Sequence, residues 1–176
     1  NVGITSSNST ANNKVVGLYI GSENVSYQAE IINQVDLSKF NLYINEVKNN
    51  EKILFNNSFY ENNLINYNNG TIEFLEYGTY FINFNIYIEN TTLPAVVFEV
   101  SYSINGVKNC FNVAQKGIDE IGTQTAHSLV IPCSFISKFN INDILEIRNV
   151  SGDTVFLISN YLDNVVNGII SVTKLS

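Results

Sequence analysis

The 176-residue chain is poor in the residues from which most catalytic and nucleic-acid sites are built: it holds one His, two Cys and two Pro, and its only Arg is Arg148. Nine Lys+Arg stand against sixteen Asp+Glu, a net charge of −7. No basic stripe is available to neutralise a phosphate backbone, which argues against nucleic acid and an anionic membrane surface as partners. Cys110 and Cys133 are too few for a disulfide framework and too isolated for a zinc site, which needs paired ligands at short spacing. With one histidine, a hydrolytic triad has only His127 as its base. That residue carries the parity of Leu129 and Ile131, as expected of a strand-end group. No run approaches the ~18 apolar residues of a membrane span. The chain lacks an initiator Met and a basic-then-apolar leader, so it reads as a piece of a longer protein.

What is abundant is equally informative. Apolar residues make up 45% and charged residues 14%, a balance that excludes a disordered tail. The length fits one domain. Asn occurs 29 times and Ile 22 times while Ala occurs five times. Since Asn and Ile codons are AT-rich and Ala codons are not, this bias reads as genome drift in an AT-rich bacterium.

Residues 1–14 are Ser, Thr and Asn with hardly an apolar anchor, and read as a linker. From Lys14 onward the pattern has period two and no long helical stripe. The clearest stretch, 71–89, places Ile72, Phe74, Gly78, Tyr80, Ile82, Phe84, Ile86 and Ile88 on one parity and Thr79, Asn83 and Asn85 on the other, a strand with one buried face. Asn69-Gly70 marks a turn before it. Phe98, Val100 and Ile104 repeat the pattern. Asn105-Gly106 predicts a two-residue hairpin that sets Ile104 opposite Val107, Val100 opposite Phe111 and Phe98 opposite Val113, all inward, with Cys110 outward opposite Ser101. In 127–135, Ile131 and Cys133 have core parity and Pro132 predicts an edge position or bulge. The opposed parities of the two cysteines predict free thiols.

Further strands are expected at 15–20, 25–31, 53–59, 144–150, 154–159 and 168–175, the fifth joined to the fourth by Ser151-Gly152-Asp153. The stretch 35–47 fits helix or strand and is read as strand from its surroundings. The core is assigned to Tyr80, Ile82, Phe84, Phe98, Val100 and Ile131. About ten short strands with almost no helix make an all-β sandwich or barrel.

The segments Ile53-Leu54-Phe55-Asn56-Asn57, Ile65-Asn66-Tyr67-Asn68-Asn69-Gly70-Thr71-Ile72 and Glu76-Tyr77-Gly78-Thr79-Tyr80-Phe81-Ile82, in this order, resemble the C1q and tumour-necrosis-factor superfamily. Phe139-Asn140-Ile141-Asn142-Asp143-Ile144 resembles its Gly-Asp strand entry, with Asn142 where Gly is usual. Within the superfamily the nearest likeness is to the C-terminal heads of bacterial collagen-like exosporium glycoproteins of the BclA type, on the turn Asn149-Val150-Ser151 and the ending Lys174-Leu175-Ser176. The likeness runs from about Phe40 to Ser176, and no Gly-X-Y repeat lies in the chain.

The resemblance implies a C1q/TNF-like jelly roll of about ten strands over 39–176, homotrimeric, preceded by an extension over 15–38 with one or two short strands. Phe81 and Tyr87 lie on the outward parity of an Asn-rich strand and are the expected subunit contacts. The implied function is a non-enzymatic trimeric head of a bacterial, spore-surface filament protein: extracellular, partnered by itself and by surface glycans or proteins. The alternatives are a lectin-like jelly-roll module, which a shallow pocket with an aromatic floor would favour, and a phage-tail receptor-binding head. No cofactor or metal is expected. Asp119, Glu120, Asp153 and Asp163 could offer oxygens to calcium, but none sits in an alternating acidic loop, so they read as ordinary loop acids.

Overall fold

A computed structural model describes residues 15–21, 46–59, 63–91, 93–116, 127–158 and 166–176. They form strands β1 (Val15–Gly21), β2 (Glu46–Val47), β3 (Asn57–Phe59), β4 (Ile65–Asn68), β5 (Thr71–Phe74), β6 (Gly78–Thr91), β7 (Ala95–Ile104), β8 (Val107–Lys116), β9 (His127–Phe139), β10 (Ile144–Asn149), β11 (Val155–Phe156) and β12 (Val166–Lys174). Ten of these build two five-stranded antiparallel sheets, ordered β3-β1-β12-β6-β9 and β4-β5-β10-β7-β8, and β2 pairs with β11 in a small third sheet. This is an all-β sandwich, as the period-two patterning predicts, and its two five-stranded sheets fit the jelly roll that the family resemblance implies.

The alternation decides what is inside. On β6, Tyr80, Ile82, Phe84, Ile86 and Ile88 are fully buried, and every residue between them is only half-buried. The facing sheet contributes Ile72, Phe74, Phe98, Val100, Leu145 and Ile147. Ile131 on β9 is also fully buried. At one end Phe74 stacks on Phe139, with ring centroids 3.9 Å apart and 7° from parallel, and Tyr80 meets Phe74 edge-on at 4.8 Å. Each such side chain contributes about 1.5–3 kcal/mol on burial.

Turn chemistry follows the sequence closely. Asn69-Gly70 and Asn105-Gly106 all take positive φ, and Asn142 holds a φ of 70°. A short amide side chain tolerates that left-handed conformation better than other non-glycine residues. The β7–β8 hairpin has the expected register, Ile104 with Val107, Val100 with Phe111, Phe98 with Val113 and Ser101 with Cys110.

Several expectations are corrected. The stretch 71–89 is not one strand: β5 and β6 belong to different sheets, with the crossing at residues 75–77. The parity carries across because even-numbered residues point into the core on both strands, although the two strands face it from opposite sheets. Val107, expected inward, is 64% exposed, because β8 ends its sheet and its first residue runs beyond the cover of the opposite layer. β1, expected in an N-terminal extension, lies between β3 and β12 with Val15 opposite Thr173, so this strand is part of the sandwich. Within 53–59 only Asn57–Phe59 is strand. β11 pairs with β2 rather than β10, both seated by the buried Asn149 amide, which donates to Val47 O at 2.9 Å and Asp153 O at 2.8 Å. The expected strand 25–31, most of 35–47, and Asp119, Glu120 and Asp163 lie outside the described residues.

Both cysteines are free. Cys110 is exposed on the outward face of β8, and burial pushes the half-buried Cys133 thiol up from its ordinary value. A thiol-reactive chromophore at mildly alkaline pH should therefore label one thiol per native chain rapidly and the second slowly. Two equally fast thiols would contradict the register of β8 or β9.

Candidate subunit interface

Phe81 and Tyr87 lie on the outward face of β6, six residues apart, which separates them by about 20 Å along the strand. Both are half-buried. Phe81 stands between Thr173 of β12 and Ile136 of β9, and Tyr87 stands opposite Val130 of β9. Ile136 is 62% exposed and Val130 is 42% exposed. Directly opposed side chains on one face are within contact reach, so Phe81 with Ile136 and Tyr87 with Val130 form two apolar pairs. A polar middle separates them, where Ser134 Oγ donates to Asn83 Oδ1 at 2.9 Å.

The Phe81 end is the more apolar. Tyr77 precedes β6 and Leu175 follows β12, both exposed. Leu175 is fixed in place: its N–H donates to Thr79 O at 2.7 Å, and Thr79 N–H donates to Ser176 O at 3.1 Å. Lys174 turns inward and its Nζ meets Glu76 Oε2 at 2.9 Å. Gly78 permits this closure, since a Cβ there would lie 2.5 Å from both Lys174 Cε and Ser176 O. Sequence reading names Phe81 and Tyr87 but misses Ile136, Val130, Tyr77 and Leu175. Ile136 was detectable, as it continues the outward parity of Val130, Pro132 and Ser134.

A second surface lies at the open edge of the sandwich. β8 and β9 each end a sheet and face one another across the core. Between them Tyr102, Phe111 and Phe135 form a ring cluster, with centroids 6.2 Å apart for Tyr102–Phe111, 5.7 Å for Tyr102–Phe135 and 5.2 Å for Phe111–Phe135. These rings point inward, yet all three remain half-buried, as do Val113 and Cys133. Among the described residues nothing finishes covering them. Pro132 and Lys138 on β9, with Lys108 and Lys116 on β8, guard the exposed backbone against indiscriminate strand pairing.

A buried carboxylate joins the ends of the two edge strands. Asp143, 3% exposed, accepts the backbone N–H of Asn140 at 2.8 Å and those of Asn105 and Gly106 at 3.3 Å each. Ser103 Oγ also donates to it at 3.3 Å. β8 starts just after Gly106 and β9 ends just before Asn140, so this one side chain ties the ends of both edges together. Desolvation alone would raise its pKa. The three N–H groups and the hydroxyl outweigh that and hold the carboxyl below its ordinary value.

Among the described residues no group of three or more His, Cys, Asp and Glu could hold a metal ion, and no helix is long and apolar enough to cross a membrane. His127 enters β9 opposite Thr91. Asp153 is exposed beside a turn. The arrangement offers two different apolar surfaces on one protomer, an outward sheet face and an open aromatic edge.

No family model and no curated protein sequence matches the chain. Solved structures do match over nearly the whole length. An Eiger TNF from S. frugiperda superposes with a TM-score of 0.61 at 11% identity, covering 94% of each chain. The globular domain of zebrafish complement 1qA gives 0.57 at 9% identity, covering 93% of this chain and 98% of that one. Murine APRIL gives 0.54 at 8% identity, with 93% and 99% covered. The chain therefore has the TNF/C1q jelly-roll fold. At these identities the likeness is one of fold.

Proposed function

We propose that the chain is a non-enzymatic head domain that assembles as a homotrimer, each protomer setting its open β8–β9 edge against the outward β6–β9 face of the next. The observation that carries this reading is the half-buried Tyr102–Phe111–Phe135 cluster together with Ile136 and Phe81 on a different face. Two dissimilar patches on one protomer associate head to tail, and such contacts close into a ring when the rotation permits. The TNF/C1q fold supports the same reading. A half-covered aromatic cluster gains burial when a neighbour completes it, and aromatic residues dominate the energetics of such contacts.

The head would act by assembly, fixing the register of whatever precedes it and presenting its loops outward. Its placement on an extracellular bacterial filament, at a spore surface, rests on the likeness to exosporium heads at Asn149-Val150-Ser151 and Lys174-Leu175-Ser176 and on the AT-rich composition. A non-catalytic role accords with the state of Asp143, whose lone pairs are taken up by the protein's own donors.

Phe81→Glu combined with Ile136→Glu tests the assembly. Both side chains lie outside the core, so the double variant should keep its far-ultraviolet circular dichroism. Two charges placed at the contact should bring its light-scattering mass to that of one chain. An unchanged multimeric mass would remove this face from the interface.

A further inference from the structure

We infer that the outward face of the second sheet carries a groove that binds a neutral oligosaccharide. The inference is independent of the trimer, because the proposed contact uses the β8 edge of this sheet and its inward-facing rings, whereas the groove lies on the outward face of the sheet. Two adjoining depressions flank Ile144 on β10. One, of about 390 Å³, is lined by Lys52, Asn66, Asn68, Thr71, Glu73 and Ile144. The other, of about 380 Å³, is lined by Ser101, Ser103, Lys108, Asn142, Glu146 and Ile144. Cross-strand register makes them continuous: Asn66 pairs with Glu73, Glu73 with Ile144, and Glu146 with both Thr71 and Ser101.

Three features select the ligand. Each depression holds one Lys and one Glu, so neither offers net charge to an anionic or a cationic polymer. The strongest charges are already spent on one another. Glu146, with 13% of its side chain exposed, accepts Thr71 Oγ1 at 2.9 Å and Lys52 Nζ at 3.2 Å on one oxygen, and Arg148 Nη2 at 2.7 Å on the other. Burial alone would raise that carboxyl, but these donors outweigh it and hold it below its ordinary value, so the network stays ionised and rigid.

Second, among the described residues the only aliphatic wall common to both depressions is Ile144, too little for a peptide's apolar anchors but enough for the C–H face of one sugar ring. Tyr102 borders the second depression, but its ring belongs to the aromatic cluster at the open edge, so an aliphatic side chain replaces an aromatic floor. Third, besides Lys52 and Lys108 the remaining polar lining is amide, hydroxyl and carboxylate, carried on β4, β5, β7 and β10 apart from turn residues such as Asn142. Asn66 Nδ2 donates to Glu73 Oε2 at 3.2 Å, fixing a planar amide and carboxylate side by side. Such paired donors and acceptors match adjacent sugar hydroxyls. Hydroxyl-rich, uncharged and longer than one ring is the ligand this lining fits.

The test uses the full chain, 15N-labelled and Ile-methyl-labelled, titrated separately with maltotriose and chitotriose. The expected result is a saturable shift of the Asn66 and Asn68 side-chain amides and the Ile144 methyl, with at least one of the two sugars. A shallow solvated groove should saturate at about 0.1–10 mM. Glu73→Ala and Ile144→Thr should each weaken that response about tenfold while leaving the light-scattering mass of the wild type unchanged. Absence of any saturable shift with both sugars would overturn the inference. So would shifts that both variants leave intact, or a heparin tetrasaccharide that binds the same residues more tightly. Dissociation by Phe81→Glu with Ile136→Glu would leave the sugar response in place, so failure of either proposal is distinguishable from failure of the other.

Discussion

Phe84→Glu should abolish folding, whereas Phe81→Glu, three residues earlier on the same strand, should give a folded protein. Phe84 is fully buried between Ile170 of β12 and Cys133 of β9, at the centre of the first sheet. Removing its ring costs about 3–5 kcal/mol, as large-to-small core changes do. Placing an unpaired carboxylate there adds several kcal/mol more, or forces the group to stay protonated. Together these match or exceed the roughly 5–15 kcal/mol that separates a folded domain from its unfolded chain. Phe81 lies on the other face, where a carboxylate can reach solvent beside Thr173. Circular dichroism and one-dimensional proton spectra separate the cases: dispersed methyl resonances for Phe81→Glu and none for Phe84→Glu. Equal behaviour of the two would mean the facing of β6 is wrong.

Asp143→Ala should cost about 3–5 kcal/mol, the range seen when a buried hydrogen-bonded charge is removed and its donors are left unpaired. The donors come from two separate turns, so the loss should also loosen both edge strands and raise hydrogen exchange at Asn105, Gly106 and Asn140 before the rest of the sheet. Acid should reproduce part of this. The carboxyl is held below its unfolded value of about 3.9, so its contribution is complete above that pH and is lost as pH falls through the lower folded value. The stability gap between wild type and Asp143→Asn should therefore be widest near neutrality and shrink below about pH 4. A gap independent of pH would show that the carboxylate is not the charged anchor described here.

The sequence revealed local facing best. The alternation from Ile72 to Ile88 predicts the buried residues of β5 and, apart from Thr91 at its end, of β6, and Asn105-Gly106 predicts ten residue pairs of the β7–β8 ladder, because two positive-φ residues leave one hairpin geometry. What stayed hidden is long-range. Nothing near Val15 announces a partner at Thr173, so sequence reading leaves β1 outside the sandwich that it helps to close. Parity could not tell that Val107 overhangs an uncovered edge, since facing inward buries a residue only if the opposite layer extends far enough.

The proposed interface was half legible for the same reason. Phe81 and Tyr87 stand out against an Asn-rich strand, but their partners Ile136 and Val130 gain meaning only once β9 lies beside β6. The aromatic edge was invisible, because Tyr102, Phe111 and Phe135 have core parity and their incomplete burial depends on both strands ending their sheets. The Asp143 lock needs donors from two turns some 35 residues apart in sequence.

The central claim is that one protomer leaves an edge and a face that another copy completes. Light scattering on the wild-type chain tests it most directly. The expected mass is three times the 19.7 kDa of one chain, unchanged on dilution over the accessible range. A single-chain mass at every concentration would contradict the claim, since the Tyr102–Phe111–Phe135 edge would then stand half-covered in solvent without a neighbour.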